Sequence, residues 1–313
     1  MKNKSSKALR FLSGLGAAVI VVALIALIAL RVTSCAPIRA PAPRPIPAPV
    51  AVPRPTPTPA GDACAEGPAA AATGNRRSLP ALVWAPFARP ETGWETYAPL
   101  IAREIATACA PDSPGFAAAL AAWQARQGFP ADGLMSEAVF ARIKALVQIR
   151  RPFVQLSARH VCPDAPAESA LALATPLEGY AGKAVQLRPG ALAAYRRLAA
   201  AARAEDPRIA EDPRNLAIFS GYRSPEADAA RCAREGNCNG VVRATCSPHR
   251  TGLAVDLYVG QAPGFGPDSS ADANRLAMSR GATYRWLVRN GDRFGFLPYP
   301  FEPWHWEWTG EAP

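Results

Sequence analysis

Two of this chain's three histidines stand in company that could hold a metal ion. One lies in Ser247-Pro-His249-Arg-Thr-Gly252-Leu-Ala254-Val-Asp256, the other in Glu302-Pro-Trp304-His305-Trp306. A hydrolytic metal centre takes about three protein ligands from imidazole and carboxylate and keeps one position open. His249, Asp256 and His305 supply such a set; zinc is the ion expected for it, and the ligands alone would also accept other divalent ions. Taken singly, each has an ordinary reading as a paired or core residue. Taken together, with an acid three residues ahead of His305, they favour the metal. Hydrolysis at such a centre also needs a base for the attacking water. Glu302 and Glu307 are both near His305 in sequence, and spacing alone leaves the choice between them open. The third histidine, His160, reads as surface or linker.

The elements that must position these residues are short. From 252 to 259 apolar residues alternate, with Leu253, Val255, Leu257 and Val259 on one strand face and Ala254, Asp256 and Tyr258 on the other. A carboxylate in such a strand needs a partner, because an unpaired buried charge is costly. Further strands are expected at 216–219 and 303–308. In the latter, Trp304, Trp306 and Trp308 share a face that reads as core, and Trp304 could also border a substrate cleft. Helices are expected near 189–204, opened by a proline, and near 271–279 and 283–292. Helices mixed with strands that lack regular βαβ alternation indicate an α+β class. Residues 62–150 read as helical. Tyr97, Leu100, Ile101 and Ile105 fall on one face, a helix follows over 116–126, and another over 137–149 is capped by Ser136.

The chain of 313 residues thus divides into a cytoplasmic N-terminus (1–10), a transmembrane anchor (11–31) and a Pro-rich linker (32–61). A helical domain (62–150), a connector (151–175) and the α+β domain (176–313) follow. Lys2, Lys4, Lys7 and Arg10 precede an apolar run long enough to cross a bilayer, which keeps that end inside and exports the rest. Val32-Thr33-Ser34-Cys35 resembles a bacterial lipobox, so lipidation at Cys35 is the alternative anchor. The proline-rich stretch 36–60 would extend about 75 Å as a stalk. Six cysteines remain beyond Cys35, an even number that fits three disulfides in an oxidising compartment and leaves their pairing open. The net charge of +10 permits an anionic partner, but no Lys/Arg run interleaved with aromatics argues for nucleic acid.

Three segments in order, Ser220-Gly221-Tyr222-Arg223-Ser224, Ser247-x-His249-x-x-Gly252-x-Ala254-x-Asp256 and Glu302-Pro-Trp304-His305, resemble the VanY-type D-alanyl-D-alanine carboxypeptidases. Those belong to the zinc peptidase superfamily that includes lysostaphin and the hedgehog N-terminal domain. The resemblance covers roughly 180–309 and implies a fold of that type with a small antiparallel sheet. It implies zinc on His249, Asp256 and His305, Glu302 as catalytic base, and Arg223 as oxyanion donor, a role that suits a fixed guanidinium. Ser247, Ser220 and Tyr222 would hold substrate. The family often carries Gln a few residues after Tyr-Arg-Ser, where this chain has Glu226-Ala-Asp228. Phe116 to Gly133, with Trp123-Gln124, Gly128-Phe129 and Asp132-Gly133, is similar to the three-helix peptidoglycan-binding module. The implied function is removal of the terminal D-Ala from peptidoglycan stem peptides, by a protein of the bacterial inner membrane facing the periplasm. A related zinc endopeptidase and a non-catalytic zinc-containing wall-binding protein are the alternatives.

Overall fold

The structure, a computed structural model, describes residues 63–236, 238 and 246–312. The expected anchor (11–31), Cys35 and the proline-rich linker lie outside them. Among the described residues no helix is long and apolar enough to cross a membrane.

The N-terminal half is built of helices Ala69–Ala81, Ala98–Glu104, Pro114–Gln127, Glu137–Gln148 and Pro152–Ser157, with strands β1 (Val83–Trp84) and β2 (Glu91–Thr92) paired antiparallel. Helix Pro114–Gln127 starts where the Ser113 hydroxyl accepts from the Phe116 amide at 3.2 Å, and it stops at Gly128 with φ 77°. Ser136 caps the next helix as expected, accepting from the Val139 amide at 3.2 Å. The Trp123-Gln124 and Asp132-Gly133 signature holds the turn between the two helices. The buried Gln124 amide donates to Asp132 Oδ1 at 2.9 Å and accepts from the Gly133 amide at 2.8 Å. From the first helix, Asn75 donates to the Gly133 carbonyl at 2.9 Å.

The C-terminal half carries a hairpin of β3 (Ala172–Leu173) and β4 (Gln186–Leu187), then helix Pro189–Glu205. Strands β5 (Ile218–Ser220), β6 (Ala254–Leu257), β7 (Phe296–Pro298) and β8 (His305–Trp308) form one sheet in the order β5-β6-β8-β7, each neighbouring pair antiparallel. Helices Pro225–Glu235, Asp272–Arg280 and Ala282–Asn290 pack around it. The α+β class holds. The strand expected over 252–259 is confined to 254–257, and all four of its residues are buried. Its alternation therefore separates a core face from a site face, and neither meets solvent.

Both halves contribute to one apolar cluster running from Trp84 and Phe140 to Tyr284 and Trp306. Three disulfides form: Cys64–Cys109, Cys162–Cys246 and Cys232–Cys238.

Candidate metal centre

Across β6 and β8, Asp256 stands directly opposite His305, and on its other side β6 pairs Asp256 with Ser220. His249 arrives from the short helical turn Pro248–Thr251, which Gly252 closes at φ 70°. The turn's positive φ favours glycine there, and a Cβ on Gly252 would press on side-chain atoms of Arg188 and Leu171 at 3.1 Å. The ligand atoms of His249, Asp256 and His305 lie within 4.8 Å of one another, and all three residues are buried. His305 Nδ1 faces Asp256 Oδ1 at 2.8 Å, and His249 Nε2 faces Asp256 Oδ2 at 3.2 Å. His249 Nδ1 donates to the Gly221 carbonyl at 2.7 Å, which turns Nε2 inward to face the centre. Two imidazole nitrogens and a carboxylate thus converge on one point, the donor set and spacing that zinc takes.

Charge in the pocket follows from burial and from these contacts. Burial works against ionisation of Asp256, but the His249 charge and the hydrogen bonds from both imidazoles outweigh it and hold the carboxyl well below its usual range. Burial likewise opposes a charged His305, while the hydrogen bond to Asp256 and the nearby Glu307 carboxylate lift the ring to about 9. A cation at the centre would replace those shared protons. Glu302, in the turn before β8, is pushed up by burial, with His305 and His249 pulling it down and Asp256 pushing further up. A carboxylate raised toward neutrality beside the donor set is suited to exchange protons.

The structure separates the two acids near His305. Glu307 is 1% exposed and is committed to the helical half: Arg151 Nε donates to Oε1 at 3.0 Å and the Phe153 amide to Oε2 at 2.9 Å. Burial pushes its pKa up, but the Arg151 charge, His305 and the Phe153 amide bring it to about 2. Glu302 has no such commitment, and its coupling is to the pocket.

Arg223 is brought to the same place. Its Nη2 donates to Ser220 Oγ at 3.1 Å and its backbone amide to the His249 carbonyl at 3.1 Å. Ser220 Oγ in turn lies 3.5 Å from His249 Nδ1. Tyr222 is half-buried, its amide donating to the Gln186 carbonyl at 2.7 Å. Ser247 is held by Asp228. Its hydroxyl donates to Asp228 at 2.8 Å, so its single proton is committed and it can only accept from a substrate. Trp304 is 4% exposed within the apolar cluster, so its ring packs in the core and offers a substrate almost no surface. His160 is exposed, as expected.

Sequence reasoning missed Asp228. It is 2% exposed, and it accepts from Arg223 Nη1 at 3.2 Å and from the Ser247 amide at 3.2 Å. Arg250 Nη2 lies 3.8 Å away. The available signal was helical: Ser224 caps Pro225–Glu235, and Asp228 sits one turn on, its amide bonded back to the Ser224 carbonyl at 2.9 Å.

A buried two-histidine, one-aspartate cage with an acid beside it and an anchored guanidinium defines a candidate single-metal hydrolytic centre. Residues 184–311 match the family model VanY, D-alanyl-D-alanine carboxypeptidase. No curated protein matches the chain. Among solved structures it is similar to the LdcB LD-carboxypeptidase, with 25% identity and a TM-score of 0.29 over 40% of this chain and 60% of that one. It is also similar to a mutant of the vancomycin-resistance D,D-pentapeptidase VanY in complex with Zn(II), with 23% identity and a TM-score of 0.28 over 47% of this chain and 83% of that one.

Proposed function

We propose that this protein is a zinc-dependent D-alanyl-D-alanine carboxypeptidase acting on peptidoglycan stem peptides. One observation carries the reading: His249, Asp256 and His305 converge within 4.8 Å inside the stretch that matches the carboxypeptidase family. Zinc bound there supplies Lewis acidity to the scissile carbonyl and makes water acidic enough to attack near neutral pH. Glu302 takes the proton from the attacking water at its carboxylate and returns it to the amino nitrogen of the departing D-Ala. Arg223, held by Ser220 and Asp228, donates to the carbonyl oxygen of the penultimate D-Ala as negative charge develops on it. His249 is kept with its Nε2 lone pair inward by the Gly221 carbonyl, and Asp256 stays ionised throughout.

The proposal extends to location. A membrane anchor at 11–31, with the remainder in the periplasm, is supported by the basic flank, by the apolar run and by three disulfides of the kind that persist outside the cytosol. Attachment to peptidoglycan through 62–150 is supported by the likeness of Phe116–Gly133 to the three-helix module.

The test is incubation of the protein with a stem pentapeptide ending in D-Ala-D-Ala. Free D-Ala should be released, chelator should abolish the release, and zinc should restore it. Glu302→Gln should retain zinc and lose about 10²- to 10⁴-fold in turnover. Zinc uptake without D-Ala release would overturn the carboxypeptidase reading in favour of a cut elsewhere in the wall or of binding alone.

A further inference from the structure

The helical half reaches the metal centre from behind. Arg151 and Glu307 form a buried ion pair, their side chains 6% and 1% exposed. Arg151 Nη1 is fixed by Gln148 Oε1 at 2.8 Å, Gln148 donates to the Pro298 carbonyl of β7 at 2.9 Å, and the guanidinium lies 4.5 Å from the Tyr299 ring centroid. Glu307 Oε1 is 3.6 Å from His305 Nε2, the nitrogen that faces away from Asp256, and that nitrogen is buried without a hydrogen-bond partner. When His305 offers Nδ1 to a cation, its proton must sit on Nε2 and point at this carboxylate. A carboxylate behind a ligating imidazole fixes its tautomer and ring angle and raises its basicity. The same segment is held a second time from the helical half. Glu91 pairs with the buried Arg275 at 2.9 Å, and Arg275 Nε donates to the Phe301 carbonyl, next to Glu302, at 2.7 Å.

We propose that Arg151 is a positioning residue of the metal centre, fixing Glu307 so that Glu307 orients His305, and that the helical half is thereby a working part of the zinc site. The inference rests on the zinc reading above. It gives the N-terminal half a role that its likeness to a wall-binding module does not supply. Residues 184–311 contain all three ligands but lack Arg151, the group that neutralises the carboxylate behind one of them.

The experiment uses the protein with both halves present and measures zinc affinity by chelator competition, together with the visible spectrum of the cobalt-loaded form. Arg151→Gln should weaken zinc binding about 10- to 100-fold, the range for loss of an outer-shell partner, and shift the cobalt bands. Arg151→Lys, which keeps a charge but not the planar fork, should recover part of both. Arg103→Gln is the control. Arg103 also joins the halves, but through the end of helix Ala282–Asn290 and the turn after it, donating to the Arg289 and Val288 carbonyls at 2.8 and 2.9 Å and pairing with Asp292 at 3.1 Å. This variant should lose thermal stability while keeping zinc affinity and spectrum. If Arg151→Gln does not fold, the double variant Arg151→Met, Glu307→Gln leaves no charge unpaired and should show the same loss. Wild-type zinc affinity and cobalt bands in a folded Arg151 variant would overturn the inference, as would an equal zinc loss in Arg103→Gln. Wild-type protein that takes up no zinc would instead overturn the metal reading, and this inference with it.

Discussion

A guanidinium in the role proposed for Arg223, beside a reacting carbonyl, needs an anchor, and Asp228 supplies one. It also holds the Ser247 hydroxyl and amide, so one buried carboxylate ties the Tyr-Arg-Ser segment to the loop ahead of His249. Replacing it by Asn keeps the shape and removes the charge. A hydrogen bond to a charged group is worth about 1.5–3 kcal/mol, so Asp228→Asn should lower kcat/KM roughly 10- to 100-fold with zinc content unchanged. Because both residues would act as one unit, Asp228→Asn and Arg223→Lys should combine to less than the sum of their separate losses. Steady-state kinetics on the four proteins of that cycle checks this; additive losses would mean that Arg223 does not depend on Asp228. The donor set proposed for the metal, His249, Asp256 and His305, was legible in sequence by type and spacing. Asp228 and Arg151 were not, since their roles come from neighbours up to 156 positions away.

At the scale of elements, the loop before β4 is clasped to helix Pro189–Glu205 by Glu178, which accepts from Arg196 Nε at 2.6 Å and Nη2 at 2.9 Å. Those bonds come first among the causes that bring its pKa down to about 2 from the ordinary 4.5. A carboxylate with a depressed folded pKa contributes stability above its unfolded pKa and loses it as pH falls through the folded one. The pair is partly solvated, its Arg196 side chain 48% exposed, so about 0.5–1 kcal/mol is the expected size. Glu178→Gln should therefore lie below wild type in thermal stability near pH 6, and the gap should close between about pH 4.5 and 2. A gap that persists at pH 2.5 would assign the loss to packing. Elements with an apolar stripe or a cap were readable: Pro114–Gln127, Glu137–Gln148 and Pro189–Glu205 fall within a few residues of where periodicity and capping put them. Elements held by polar or Ala-rich contacts were not. Pro225–Glu235 faces inward with Asp228 and Cys232 rather than with an apolar row, and Ala69–Ala81 contains Asn75 among its few buried residues. Strand β7 is three residues ending in proline at a sheet edge, too short to show alternation.

For the whole molecule, the two halves share a core and two buried ion pairs, Glu91–Arg275 and Arg151–Glu307, so loosening either half loosens both. The Cys64–Cys109 disulfide closes a span of 45 residues around the helical half. Opening such a loop costs about 2–4 kcal/mol. The Cys64→Ser, Cys109→Ser variant should lower the denaturant midpoint accordingly while leaving zinc stoichiometry at the wild-type value; an unchanged midpoint would show that the core already restrains this loop. The separate wall-binding module and catalytic domain suggested by the sequence come together in the structure as one compact unit, because the contacts between them cannot be read from either stretch alone. The pairing of Asp256 with His305 across β6 and β8 has a further consequence. Side chains alternate along a strand, so a slip of β8 by one position would carry His305 to the core side and bring Trp306 to the place of the ligand. A chain that zips its last strand wrongly has no cage for the cation and gains nothing from zinc in its surroundings, whereas a correctly registered one is stabilised in proportion to how tightly it binds. An ion bound there would thus act as proofreader of the sheet, favouring a single alignment among those the backbone could adopt.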